Sequence, residues 1–163
     1  MSNILIIKHG SLGDLIQANG AIKDIKNTFP TDKVLLLTTP HYSKFMLSCP
    51  YIDGVLIDQR LPRWNIFYLF KLKKMLERFA FSKVFDLQNS SRTNFYKNIL
   101  FPKADKKVWS SSITTLPSGE NKDEFDKISV LERFDYQLKE TGLNTSNTLK
   151  PDFSWAFSDI SEI

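Results

Sequence analysis

Lys8-His9-Gly10-Ser11-Leu12-Gly13-Asp14 brings a carboxylate, a hydroxyl and two glycines together between an aliphatic run and a helical pattern. A loop that leaves a strand and opens a helix presents backbone N–H groups and the positive end of the helix dipole to an anion. Asp14 falls in the first helical turn, where a carboxylate either caps the helix or serves a ligand at the rim of the sheet. Ser11 and Gly13 let the backbone approach an anion, or simply form a tight strand-to-helix turn. The spacing is neither G-x-G-x-x-G nor G-x-x-x-x-G-K-[ST], so dinucleotide binding and P-loop NTPase activity lack their usual sequence support. The single cysteine, Cys49, excludes an internal disulfide and has no metal-ligand spacing around it. It reads as a buried spectator in a reducing compartment, and no metal or cofactor is expected.

The elements that position this loop follow from hydrophobic period. Asn3 to Lys8 is a continuous aliphatic strand of the kind buried on both faces. Leu15, Ala18, Ile22, Ile25 and Phe29 then mark one helical stripe that stops at Phe29-Pro30. Lys33 to Thr38 is a second strand, and Thr39-Pro40 supplies a helix cap and a first-turn proline. Further strands are expected over Gly54 to Asp58 and Lys83 to Leu87, with a helix from about Trp64 to Phe79 between them. Such alternation predicts a doubly wound, Rossmann-like α/β fold with a parallel sheet and ligands beyond the carboxyl ends of its strands. Glu124 to Thr141 reads as a later helix closed by Gly142, and Asn144 to Thr148 as a polar linker. After it, Phe153, Trp155 and Phe157 alternate like a half-buried strand.

The chain has 163 residues, 42% hydrophobic, with thirteen Phe, five Tyr and three Trp, a composition that folds rather than staying disordered. No secretory signal or bilayer-spanning stretch is visible. The net charge of +4 is unevenly spread: residues 60 to 107 carry twelve basic and three acidic side chains, residues 108 to 163 five basic and ten acidic.

Ile4-Leu5-Ile6-Ile7-Lys8, then Ser11-Leu12-Gly13-Asp14-Leu15-Ile16 and the helix through Ala21-Ile22, resembles the amino-terminal signature of glycosyltransferase family 9, the bacterial heptosyltransferases. Pro50-Tyr51-Ile52-Asp53-Gly54-Val55 is similar to the family's stretch before its third strand. Val84-Phe85-Asp86-Leu87-Gln88, with Arg92 nearby, resembles its strand-end D-L-Q and arginine. These segments cover most of residues 3 to 100, while His9 and Gly10 depart from the small hydroxyl residues often found there.

The resemblance implies the amino-terminal half of a GT-B glycosyltransferase, in which two Rossmann-like domains face each other across a cleft. It implies transfer of heptose from ADP-heptose to a lipopolysaccharide core acceptor with inversion, and a cytoplasmic enzyme peripheral at the inner membrane. Asp14 matches the family's base, and Ser11, Gly13, Gln88 and Arg92 would bind substrate. The Arg92 guanidinium would hold an acceptor phosphate or carboxylate, the alternative being a solvated surface charge. A nucleotide diphosphate leaves readily once its charge is stabilised, so one carboxylate suffices and its positioning supplies much of the effect. The chain is the size of one domain. Residues 1 to 143 are therefore expected to form the acceptor-side domain, and 144 to 163 the linker and start of a carboxyl-terminal nucleotide-sugar domain absent from this chain. Such a partial product would bind donor poorly and turn over little by itself.

The helix from Trp64 to Phe79 carries a reading independent of the family. Its Leu69, Leu72 and Leu76 share an apolar arc with Tyr68, Met75 and Phe79, whereas Ile66, Phe67 and Phe70 fall among Lys71, Lys73, Lys74, Glu77 and Arg78 on the opposite side. Contact with a membrane or an anionic glycolipid acceptor would explain this mixture. The alternative is that a loop or a further domain covers the rings. Nucleic acid is not expected as a partner, because no RNA-binding signature or zinc spacing is present. A noncatalytic domain binding an anionic glycan or lipid, or a transferase of another nucleotide sugar, are the competing functions.

Overall fold

Uninterrupted aliphatic runs favour strands whose two faces are both covered, and the computed structural model, which describes residues 1–116, 120–152 and 154–156, arranges them in that way. Strands β1 (Asn3–Ile7), β2 (Lys33–Thr38), β3 (Gly54–Ile57), β4 (Lys83–Asp86) and β5 (Trp109–Ser110) form one all-parallel sheet in the order β3-β2-β1-β4-β5. Around it lie α1 (Leu12–Thr28), α2 (Pro40–Met46), α3 (Ile66–Glu77), α4 (Ser91–Leu100), α5 (Ser112–Thr115), α6 (Lys122–Phe125) and α7 (Val130–Glu140). The doubly wound α/β fold expected from the sequence is the one observed.

The two-residue period of β1 divides the core. Ile4 and Ile6 point to the face covered by α1 and α7, where they meet Leu15, Ile22, Phe134 and Leu138. Leu5 and Ile7 point to the other face, against Leu69, Leu72 and Leu76 of α3 and Tyr96 of α4. Each fully buried aliphatic side chain stabilises the fold by about 1.5–3 kcal/mol.

Four expectations need correction. Lys8, Asp58 and Leu87 lie one residue past the ends of their strands: their N–H groups still donate to the neighbouring strand, while the Lys8 and Asp58 side chains turn into the loops at the sheet's carboxyl edge. The helix expected from Glu124 to Thr141 is two helices: Ser129 and Glu132 exchange hydrogen bonds as a capping box that starts α7 afresh. Its far end closes as anticipated, with Gly142 at φ +90° and the Leu143 N–H donating to the Leu138 carbonyl at 3.0 Å. At the carboxyl end, residues 154–156 form a 3₁₀ turn rather than a strand, with the Trp155 ring 5.3 Å from that of Phe45; Phe153 and Phe157 lie outside the described residues. The segment read as a linker is held against α1: buried Asp24 accepts from the Asn147 N–H at 3.0 Å, its side-chain amide at 2.7 Å and the Thr148 hydroxyl at 2.6 Å. The two-residue β5 and the helices α4 and α5 were not anticipated.

Candidate active site

Strand order reverses at β1, whose neighbours are β2 on one side and β4 on the other. The chain therefore leaves adjacent strands toward opposite faces, and a crevice opens between the loops that follow β1 and β4. Those loops are joined. The Leu87 and Gln88 N–H groups both donate to the Ile7 carbonyl, at 3.1 and 3.0 Å, and the Lys8 ammonium donates to the Leu87 carbonyl at 3.2 Å. The Gln88 side-chain oxygen accepts from the His9 N–H at 3.1 Å. Asp14 and Gln88, 74 residues apart in sequence, thus share one rim.

Ser11 is the N-cap of α1, and Asp14 lies three residues on. The Asp14 carboxylate accepts from the Ser11 N–H at 2.8 Å and from its hydroxyl at 3.3 Å, both at Oδ2. Among the described residues no hydrogen bond reaches Oδ1, so this half-exposed carboxylate is oriented by one oxygen and offers the other. Gly13, expected in the loop, is in the first helical turn, and apart from its chain neighbours and its own helix backbone nothing stands within 4 Å of where its Cβ would lie. The surface beside Asp14 is accordingly open. Gly10 is the constrained glycine: its φ of +124° suits only glycine, and a Cβ there would strike the Tyr42 ring.

Two further groups lie beneath the loop. Lys8 is buried, which lowers its pKa, while the negative charges of Asp14 and Asp86 oppose the shift. Burial pushes the Asp86 carboxyl up to about 6, against the Asn89 and Gln88 N–H groups that donate to its Oδ1 at 2.9 and 3.0 Å.

Arg92 is neither a solvated charge nor a free hook. It sits in the first turn of α4, where Nη1 donates to the Leu61 carbonyl at 2.9 Å and to the Tyr96 hydroxyl at 3.1 Å. It bridges α4 to the loop after β3, at the same edge of the sheet as Asp14 and Gln88. Phe67, Phe70, Lys71 and Lys74 are exposed on α3, and Arg78 is exposed at its end. They form a separate surface.

A buried network at the end of β3 was not foreseen. His9 Nε2 lies 2.8 Å from Asp58 Oδ2, and neither side chain reaches solvent. Asp58 also accepts from the Tyr96 hydroxyl at 2.8 Å, the Arg60 N–H at 2.8 Å and the Tyr68 hydroxyl. Burial alone would raise the Asp58 pKa, but the donors His9, Tyr68, Arg60 and Tyr96 prevail and bring it to about 2. Asp58 is therefore ionised, so His9 Nε2 carries the proton it donates. The network ties the loop that holds Ser11 and Asp14 to β3, α3 and α4. One sequence signal pointed there: a carboxylate directly following the aliphatic strand Gly54 to Ile57.

An all-parallel sheet in the order β3-β2-β1-β4-β5 with helices on both faces defines a Rossmann-like α/β fold. Solved glycosyltransferases share it. The chain is similar to Escherichia coli heptosyltransferase WaaC with ADP-2-deoxy-2-fluoro heptose, at 12% identity and a TM-score of 0.63 over 99% of this chain and 55% of that one. It is also similar to a glycosyltransferase family 9 protein from Veillonella parvula, at 15% identity and a TM-score of 0.68 over 90% of this chain and 43% of that one. WaaC with ADP matches at 13% identity and a TM-score of 0.60. The chain spans about half the length of these proteins. No protein-family model and no curated protein sequence matches it.

Proposed function

We propose that this chain is the acceptor-side half of an inverting glycosyltransferase, with Asp14 as the base that takes the acceptor hydroxyl proton. The observation that carries this reading is the Asp14 carboxylate itself: fixed through Oδ2 by Ser11, unengaged at Oδ1, and placed at the switch point. As the hydroxyl oxygen attacks the anomeric carbon, the bond to the nucleotide diphosphate breaks and the proton passes to Asp14. Ser11 and the open surface at Gly13 admit the sugar. Gln88 and Arg92 hold the far side of the crevice, although Arg92 Nη1 is already engaged. Likeness to heptosyltransferases, one of them with an ADP-heptose analogue, supports ADP-heptose as donor and an anionic lipopolysaccharide core as acceptor. In this reading residues 1 to 143 form the acceptor domain, and residues 144 to 163 lead toward a second domain that holds the nucleotide.

The test is transfer from ADP-heptose to an inner-core acceptor, by this chain alone and together with a donor-binding domain. Transfer only in the mixture supports the reading. No transfer in either, with saturable binding of the anionic glycolipid, favours a noncatalytic binding domain, for which the basic stretch from 60 to 107 would be the binding surface.

A further inference from the structure

Helix α3 has two faces that a packed helix does not ordinarily combine. Leu69, Leu72 and Leu76 are buried against the sheet. Directly opposite, Phe67, Phe70, Lys71, Lys74 and Arg78 fall within an arc of about 100°, with Phe67 78% and Phe70 58% exposed. Trp64, just before the helix, is 80% exposed. Rings of this size left in water cost free energy unless something covers them, and the Lys74 ammonium stands 4.6 Å from the centre of the Phe70 ring rather than over a carboxylate. Glu77, the one acid of α3, borders this stripe beside Phe70 and faces Lys73 at 4.0 Å, so Lys71, Lys74 and Arg78 leave the exposed side with an excess of cations.

We infer that this face of α3 docks on an anionic lipid bilayer, with Trp64, Phe67 and Phe70 entering the interface and Lys71, Lys74 and Arg78 pairing with acidic headgroups. Charge complementarity selects this occupant: interfacial helices combine aromatic and basic side chains in this manner, and each cation near an anionic leaflet adds to the attraction. Among the described residues no helix is long and apolar enough to cross a membrane, so the contact is a surface one. Position gives it a use. The rings occupy the amino-terminal half of α3, at the same edge of the sheet as Asp14. Tyr68, next to Phe67, donates to Asp58, which holds His9 in the Asp14 loop. A docked bilayer would thus lie beside the crevice, where a lipid-borne acceptor is needed. That use rests on the transfer reading, whereas the docking does not.

Vesicle flotation tests it without donor or acceptor sugar, so its failure is distinct from failure of transfer. The chain should float with vesicles of mixed phosphatidylcholine and phosphatidylglycerol, less with phosphatidylcholine alone, and less as salt rises. Phe67→Ser with Phe70→Ser should lower partition about tenfold or more, as should Lys71→Glu with Lys74→Glu. All four side chains are outside the core, so unchanged circular dichroism and Tm are expected as controls. No flotation on either vesicle, or flotation untouched by both double variants, overturns the inference. So does a concentration-dependent dimer that Phe67→Ser with Phe70→Ser disperses in the absence of flotation, which would assign the face to a second copy.

Discussion

His9 and Asp58, 49 residues apart in sequence, meet as a fully buried pair at 2.8 Å, and through them the loop bearing Asp14 is locked to the end of β3. Each Asp58 oxygen accepts two donors, His9 and Tyr96 at Oδ2 and Arg60 N–H and Tyr68 at Oδ1, so an amide NH2 in place of either oxygen faces two donors and leaves them unsatisfied. Asp58→Asn should therefore lower unfolding free energy near pH 7 by about 2–4 kcal/mol, measured by chemical denaturation. Because the Asp58 pKa falls to about 2 on folding, below the roughly 3.9 of a free Asp, its contribution is complete above pH ~4 and lost as pH falls toward ~2. The variant should lack that part of the acid limb.

Asp86 works in the opposite sense. With a folded pKa raised to about 6, the native state binds its proton where the unfolded chain does not, so stability rises as pH drops from ~6 to ~4. Asp86→Asn keeps an oxygen to accept from Gln88 and Asn89 and has nothing to titrate. Its stability profile between those pH values should be flat where the parent protein slopes by on the order of 2 kcal/mol. Denaturation series across pH compare the two directly.

Gly10 is fixed by its backbone and by Tyr42 together. Gly10→Ala should cost about 1–3 kcal/mol and displace the Ser11–Asp14 turn, read as a lowered Tm with amide shift changes confined to the loop and α2. Tyr42→Ala removes the clash but not the φ penalty, so the double variant should recover only part of the loss.

The core strands were legible because an aliphatic run such as Lys33 to Thr38 has few alternatives to a buried parallel strand, and β2 spans the residues expected. Helix ends were legible where backbone geometry decides them, as at Pro40 in the first turn of α2 and at Gly142, although the Thr39 hydroxyl donates to the His9 carbonyl instead of capping. The start of α7 was also written in Ser129-Val130-Leu131-Glu132, but the helical period continued across it and masked the break. β5 has two residues and borrows its place from β4, which no local pattern specifies. In the candidate site, Asp14 was legible as a helix-start residue and Gln88 as a strand-end residue. The His9–Asp58–Tyr68–Tyr96 network was not, because its members come from four separate segments that only the tertiary fold brings together.

The central claim is that the Asp14 carboxylate takes a proton during sugar transfer. The direct measurement compares the chain and its Asp14→Asn variant, each supplied with a donor-binding domain, for turnover of ADP-heptose onto an inner-core acceptor and for acceptor affinity. The account predicts a turnover loss of about 10²–10⁴-fold with affinity changed only a few-fold, since a base is needed for the reaction and not for binding. Transfer retained by Asp14→Asn at a comparable rate would contradict it.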